Sequence, residues 1–448
     1  MFVGVFSVIT FCLCSHKQIT NSAGNLQSRD ITKLNSRTEI NWIGQWVGEG
    51  DKEKFIRELA NEYEFRNQEV KVNLKFKDDL YKEESETDFI LTQIQKPVAD
   101  YDILVRVHIH YHAIAEKLHD NNWGEKYLID FSKMPDFMDS HKPFIHSKLY
   151  SGQYGQMHFG PYNEGQLAAL FVNTEVAKKM GISVKQFGMT FDDFMGYLKT
   201  ANEYNKTHPN IIPLFDDNWN KAETIFIYLF YSLLNNYDQI QDPKLTSEKL
   251  TAIEKCYVAC EELSKYHPIE RNRQSRVWEH TNQFPLVDSC LFYPNFTFMY
   301  NIWKLKGKEK IHKLIPCEYP VFKQSSVCIG GYVSNWAVLK NAPHKEAAIK
   351  LMKYWCQPDI AEKWVRYTKC PSGVKGNLTE NTFGADPFEN YVFTMEKKYD
   401  GKMVQDVDKQ FIVGEKNRSV DLHAVEVLEG KLSAKDAFNA LKKKLVKI

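Results

Sequence analysis

An excess of charge of either sign is missing from this chain: 58 basic residues stand against 57 acidic ones in 448, a formal net charge of +1. No basic excess is available to neutralise a phosphate backbone, which makes nucleic acid a poor candidate partner, and none is expected. Long apolar runs are missing too. The two candidates, residues 1–14 and 225–234, are both too short to cross a bilayer. A disulfide framework is absent: nine cysteines lack tight spacing, and Cys256 and Cys260, one helical turn apart on an apolar face, read as buried thiols. No internal repeat, Walker, dinucleotide-binding or Ser-His-Asp pattern appears.

What is present suits a multidomain globular chain. Length sets a prior of about two to three domains, and 43% hydrophobic with 26% charged residues is ordinary for such proteins. Residues 1–14 have the length of an export-signal h-region. Cys14, or Cys12, follows the apolar run as in a bacterial lipoprotein leader; a plain signal peptide is the alternative. Residues 15–37 are polar and aperiodic and read as a tether.

The body alternates strand and helix patterns. Ile40 to Ile43 begin a strand. Gly44 to Gly50 form a glycine-punctuated loop, and Asp51 caps a helix with Phe55, Ile56, Leu59 and Tyr63 on one face. Val70, Val72, Leu74 and Phe76 alternate with polar residues, so strand, helix and strand make a parallel βαβ unit. Residues 101–105 are a third strand. The turn-rich Gly160-Pro161-Tyr162-Asn163-Glu164-Gly165 runs into the apolar 167–173, a short strand suited to crossing between two lobes. Thr190 with Asp193 marks a helix start. Leu291 to Asn295, interrupted by Pro294, read as a kinked loop lining a cleft. Gly330 to Val338 form a second glycine-to-apolar crossing before an amphipathic helix.

These residues resemble a family. Trp42-Ile43-Gly44-Gln45-Trp46 with its loop, Leu170-Phe171-Val172-Asn173 through Gly181-Ile182, Thr190-Phe191-Asp192-Asp193-Phe194, Gly330-Gly331 with Trp336-Ala337-Val338, and Gly430-Lys431-Leu432-Ser433 are together similar to extracellular solute-binding proteins of ABC importers, family 1, carbohydrate-binding type. The resemblance implies an α/β, two-lobed, periplasmic-binding-protein-like fold (type II). Each lobe would be a mostly parallel sheet flanked by helices, with hinge strands joining the lobes. It implies a leader and tether over 1–37, an N-terminal lobe of 38–162 plus 331–378, and a C-terminal lobe of 163–330 plus 379–448. The implied role is extracytoplasmic capture of a sugar or oligosaccharide and delivery to an ABC permease by lobe closure. Membrane contact would be through a lipid anchor alone, and there would be neither cofactor nor catalysis.

A sugar needs flat aromatics for its ring face and carboxylates or amides for its hydroxyl rim. Trp46 and Glu49, after the first strand, fit that need, as do Glu164, Tyr293, Asn295, Tyr332 and Trp336. Asp216, Asp217 and Trp219 bring carboxylates and an indole to one helix start, where one aspartate could equally be the cap. His108, His110 and His112 alternate. In a strand they would share a side, as hydroxyl ligands or as a metal site. Binding of a non-sugar solute or metal, and glycan hydrolysis by an acid pair such as Asp216 and Asp217, are the competing readings.

Overall fold

The computed structural model describes residues 37–77, 85–146, 157–208, 211–216, 222–234, 239–240, 246–269, 284–376, 386–399, 402–404 and 422–446. The leader, Cys12, Cys14, Asp217 and Trp219 lie outside the described residues.

The first lobe is built as its sequence periods require. β1 (Thr38–Gly44) and β2 (Val70–Phe76) run parallel in register from Thr38↔Val70 to Gly44↔Phe76, with α1 (Asp51–Arg66) as the crossover. Phe55, Ile56, Leu59 and Tyr63 are the buried stripe of α1. Gly50, at φ 59°, opens that helix in place of the expected Asp51 cap; a positive φ there suits glycine. α2 (Glu86–Gln95) leads to β3 (Ile103–Val105), parallel to β1, and α3 (Val107–Leu118) follows. The histidine stretch is thus helical, which corrects the strand expected there. At about 100° per residue, His108 and His110 point to different sides of α3. No cluster of three metal-ligating side chains occurs among the described residues.

The second lobe is organised on β4 (Glu164–Asn173), the crossing segment. After it come α4 (Phe191–Asn205), β5 (Ile212–Leu214), α5 (Glu223–Leu233), α6 (Ser247–Ser264), β6 (Cys290–Phe296), α7 (Met299–Gly307), β7 (Leu314–Cys317) and β8 (Cys328–Val333). Every residue of α5 from Ile225 to Ser232 is buried, which explains the apolar run there as an interior helix. β9 (Trp336–Val338) returns to the first sheet, antiparallel to β3. α8 (Lys345–Trp355), α9 (Pro358–Thr368), α10 (Pro387–Lys398), β10 (Met403–Val404) and α11 (Ala434–Val446) complete the longer elements.

The sheet orders are β2-β1-β3-β9 and β10-β8-β4-β6-β5, with β7 also on β4. The first sheet is mostly parallel, as expected. The second is mixed, because β4 pairs antiparallel with β6, β7 and β8. Residues 291–295 belong to β6 and not to a loop. The pairing of β5 ends at Phe292, so Pro294 sits where β6 has β4 as its one paired neighbour and a missing N–H is tolerated.

Glu164 to Leu167 of β4 pair with Gly330 to Val333 of β8, forming the two-stranded ribbon between the lobes. Backbone approach is close here: a Cβ on Gly165 would lie 2.6 Å from the Pro371 carbonyl, and one on Gly330 would lie 2.4 Å from that of Gln166.

The Thr190 cap is complete. Its hydroxyl accepts the Asp193 N–H at 3.1 Å, and the Asp193 carboxylate accepts the Thr190 N–H at 3.0 Å. Thr190→Ala is expected to cost about 1 kcal/mol in urea unfolding.

Candidate functional site

Parallel strands aim their carboxyl ends at one edge of a sheet, where loops are free to hold a ligand. In the first sheet that edge carries residues 45–50 after β1 and Arg106 after β3. In the second, where β5 runs parallel to β6, it carries Phe215 and Asp216 after β5 and Phe298 after β6. The two edges meet at Lys52. Its ammonium lies 2.9 Å from Glu164 Oε1 on the ribbon and 3.3 Å from Glu49 Oε2, beneath the rings of Trp46 and Phe298, each 5.4 Å away. Asn335, in the returning strand connection, donates to Glu164 Oε2. Burial alone would favour the neutral amine; the Glu164 and Glu49 carboxylates outweigh it and push the Lys52 pKa up. Beside this junction Lys304 of α7 reaches Asp51 of α1 at 2.5 Å, a second bridge between lobes.

A second polar group rims the first lobe. Glu86 meets His110 Nε2 at 2.7 Å, Lys77 at 3.2 Å and Arg106 at 3.4 Å. Burial opposes ionisation of Glu86, but the His110 hydrogen bond and the Arg106 and Lys77 charges bring its pKa down to about 2. Arg106 adopts a left-handed φ of 59°, and its N–H donates to the Asn335 carbonyl at 2.7 Å. The Glu86 cluster and the Lys52 junction are therefore linked through Asn335.

The expected residues divide. Glu49 and Glu164 are at the junction, and His110 is in the Glu86 cluster. His108 is nearby; burial, with the Arg106 charge, lowers its pKa to about 4. Trp336 is a correction: it is fully buried, 4.5 Å from Trp355 and 5.5 Å from Trp42 between ring centroids, and serves packing. Trp46 joins the same cluster edge-on to Trp336 at 5.1 Å, and only its Lys52 contact turns toward the junction. Tyr293 is likewise a packing ring, stacked on Phe215 at 5.1 Å and near Trp303. Asn295 is buried on β6, where its Oδ1 accepts the Phe296 N–H. Asp216 accepts the Ala222 N–H at 2.7 Å and so caps the entry to α5. Tyr332 donates to Glu396 Oε1 at 2.7 Å, on the other face of the ribbon from Glu164.

Sequence reasoning missed Lys52, Arg106, Glu86, Asn335 and Phe298. It also passed over Asn163, a buried side chain whose amide atoms have no hydrogen-bond partner among the described residues. The available signal was position alone: Arg106 directly follows the third strand, and Lys52 stands in the first turn of the helix that follows the loop after the first strand.

Tyr162, at the ribbon's entry, is held by two neutral histidines. His141 Nδ1 must donate to the Phe137 carbonyl at 2.8 Å, which leaves Nε2 to accept the Tyr162 N–H at 3.2 Å. His158 Nδ1 meets the Tyr162 hydroxyl at 2.7 Å. Burial lowers the pKa of both imidazoles to about 4. Since the folded values lie below the ordinary 6.5, their contribution is complete above pH 6.5 and is lost as pH falls toward 4. At pH 5 the loss is about 2 kcal/mol for each histidine. Urea unfolding of His141→Gln should therefore show a smaller difference between pH 7.5 and pH 5 than the unmodified chain. An unaltered difference would remove His141 as its source.

Two α/β lobes, joined by a strand ribbon and meeting at the carboxyl ends of their sheets, define a two-lobed solute-binding protein. The model of the bacterial extracellular solute-binding protein family matches residues 83–391, and the chain belongs to that family. It is a binding family, which removes the hydrolase reading and places the chain outside the cytoplasm. No curated protein matches the sequence itself.

Several solved structures share the fold. The apo form of RafE from Streptococcus pneumoniae is 14% identical, with 91% of this chain and 97% of that chain covered and a TM-score of 0.62. A family 1 extracellular solute-binding protein from Bifidobacterium longum subsp. infantis is 16% identical, covering 92% and 100%, with a TM-score of 0.61. A sugar transporter from Bacillus licheniformis, in complex with stachyose, is 14% identical, covering 92% and 100%, with a TM-score of 0.54.

Proposed function

We propose that this chain captures a carbohydrate outside the cell and hands it to an ABC permease, its lobes closing on the ligand. The observation that carries the reading is the Lys52 junction, where loops from the carboxyl ends of both sheets converge on buried, paired charges and aromatic rings. The stachyose-bound fold relative supports a sugar as ligand. The lobes divide near residues 162 and 330; the third expected division, near 378, lies outside the described residues. Glu49, Glu164, Asn295, Asp217 and Trp219 are the groups offered to hydroxyls and ring faces. Cys14 carries the lipid anchor, and a thioether-linked lipid on its sulfur or an amide-linked acyl chain on its amine, found by mass spectrometry of membrane-expressed protein, is its test.

Calorimetry against a panel of oligosaccharides, stachyose and raffinose included, tests the function. Binding that compacts the protein in solution scattering is expected; no binding to any saccharide overturns the sugar. Trp219→Ala should weaken the bound saccharide at least tenfold, about 1.4 kcal/mol, and an unchanged affinity removes Trp219 from the site.

A further inference from the structure

A cavity of about 600 Å³ lies on the face of the ribbon turned away from the Lys52 junction. Its position follows from strand geometry. Glu164 pairs with Val333 and Gly165 with Tyr332. Successive residues of a strand point to opposite faces, and directly paired residues share one. Glu164 points to Lys52, so Tyr332 points the other way, and its hydroxyl bonds Glu396 in the cavity wall. The chain at Pro371, packed where a Gly165 Cβ would lie, covers the same far face and leads into the lining residue Ser372.

The lining has a consistent chemistry. Phe144, Val365, Val374 and Phe393 make an apolar body, and Lys142, Lys397 and Lys402 bring three ammonium groups against one carboxylate, Glu396. Lys142 is committed to Glu396 at 2.5 Å. Lys402 is exposed, with no carboxylate partner among the described residues. The volume falls within the range of about 300–1,000 Å³ usual for small-molecule sites, and an apolar body with a few placed charges is their usual composition.

We propose that this cavity is a second ligand site, separate from the cleft, for an organic monoanion with an apolar body: an aryl- or medium-chain alkanoate. The hydrocarbon lies between Phe144 and Phe393, and the carboxylate takes hydrogen bonds from the lysines at the rim, Lys402 first among them. Carboxylate–ammonium bonds are stronger than those of a neutral amide. The cavity therefore discriminates by charge as well as by shape.

The probe is 3-phenylpropionate, titrated into the full chain by calorimetry, with 3-phenylpropionamide as the neutral control. Saturable binding of the acid at one site is expected, with the amide at least tenfold weaker. Lys402→Glu, at an exposed position where folding is not at risk, should weaken the acid at least tenfold and leave the amide unchanged. Val365→Trp, which fills the cavity, should abolish both. Absence of acid binding, equal binding of acid and amide, or binding that survives in both variants overturns the proposal.

Discussion

Trp336→Ala is expected to lower the unfolding free energy by about 3–5 kcal/mol, the usual cost of emptying a large aromatic site in a packed core. The indole is fully buried in a knot of five tryptophans: Trp336 touches Trp42, Trp46 and Trp355, and Trp364 closes the group against Trp46 and Phe55. The knot fills the space between β1, β9 and the helices α1, α8 and α9, so its neighbours come from five elements that cannot all relax into the hole. Urea unfolding reads the effect as a shift of midpoint at constant slope. Trp336→Phe keeps a ring and should lose less. The measurement also decides the role of the residue: a folded, fully stable Trp336→Ala protein that failed to bind saccharide would return the ring to the cleft.

That knot shows where the sequence was legible and where it was not. The alternation of Val70, Val72 and Phe76 and the helical stripe of Phe55, Ile56, Leu59 and Tyr63 carry a period, and the βαβ unit follows from it. The Thr190–Asp193 cap is a local hydrogen-bond pattern and is equally visible. A tryptophan after a strand has no such signature: the indole of Trp46 suits a sugar face and a core equally, and only the positions of β9 and α9, some 300 residues on in the chain, decide between them. His108, His110 and His112 alternate like a strand, yet the helix they belong to is set by the neighbours Tyr111, Ile114 and Ala115, which are buried at helical spacing. Lys52 was hidden for the opposite reason. A lysine in a first helical turn looks like a solvated surface group until Glu164, 112 residues away, is brought against it.

Lys52→Met should be the most damaging single change at the lobe junction, at about 3 kcal/mol. The side chain of Lys52 is 3% exposed, so its charge is held by Glu164 and Glu49 and not by water. Removing it leaves two carboxylates facing one another with no cation. The cost sits at the low end of the range for broken buried pairs because the Glu164 and Glu49 side chains keep 16% and 31% of their exposure and can draw in some solvent. The near-isosteric thioether of methionine keeps packing against Trp46 and Phe298 without the charge, which separates the charge effect from the packing effect. Adding Glu164→Gln to Lys52→Met removes the stranded charge on the ribbon and should restore 1 kcal/mol or more, so the double-mutant cycle reports a coupling of about 1–3 kcal/mol. Simple additivity of the two changes would mean that Lys52 and Glu164 do not sense each other in solution. Because Lys52 ties the β1–α1 loop of one lobe to the ribbon and lies under Phe298 of the other, Lys52→Met should also weaken saccharide binding more than Thr190→Ala, a variant whose loss is confined to one helix end.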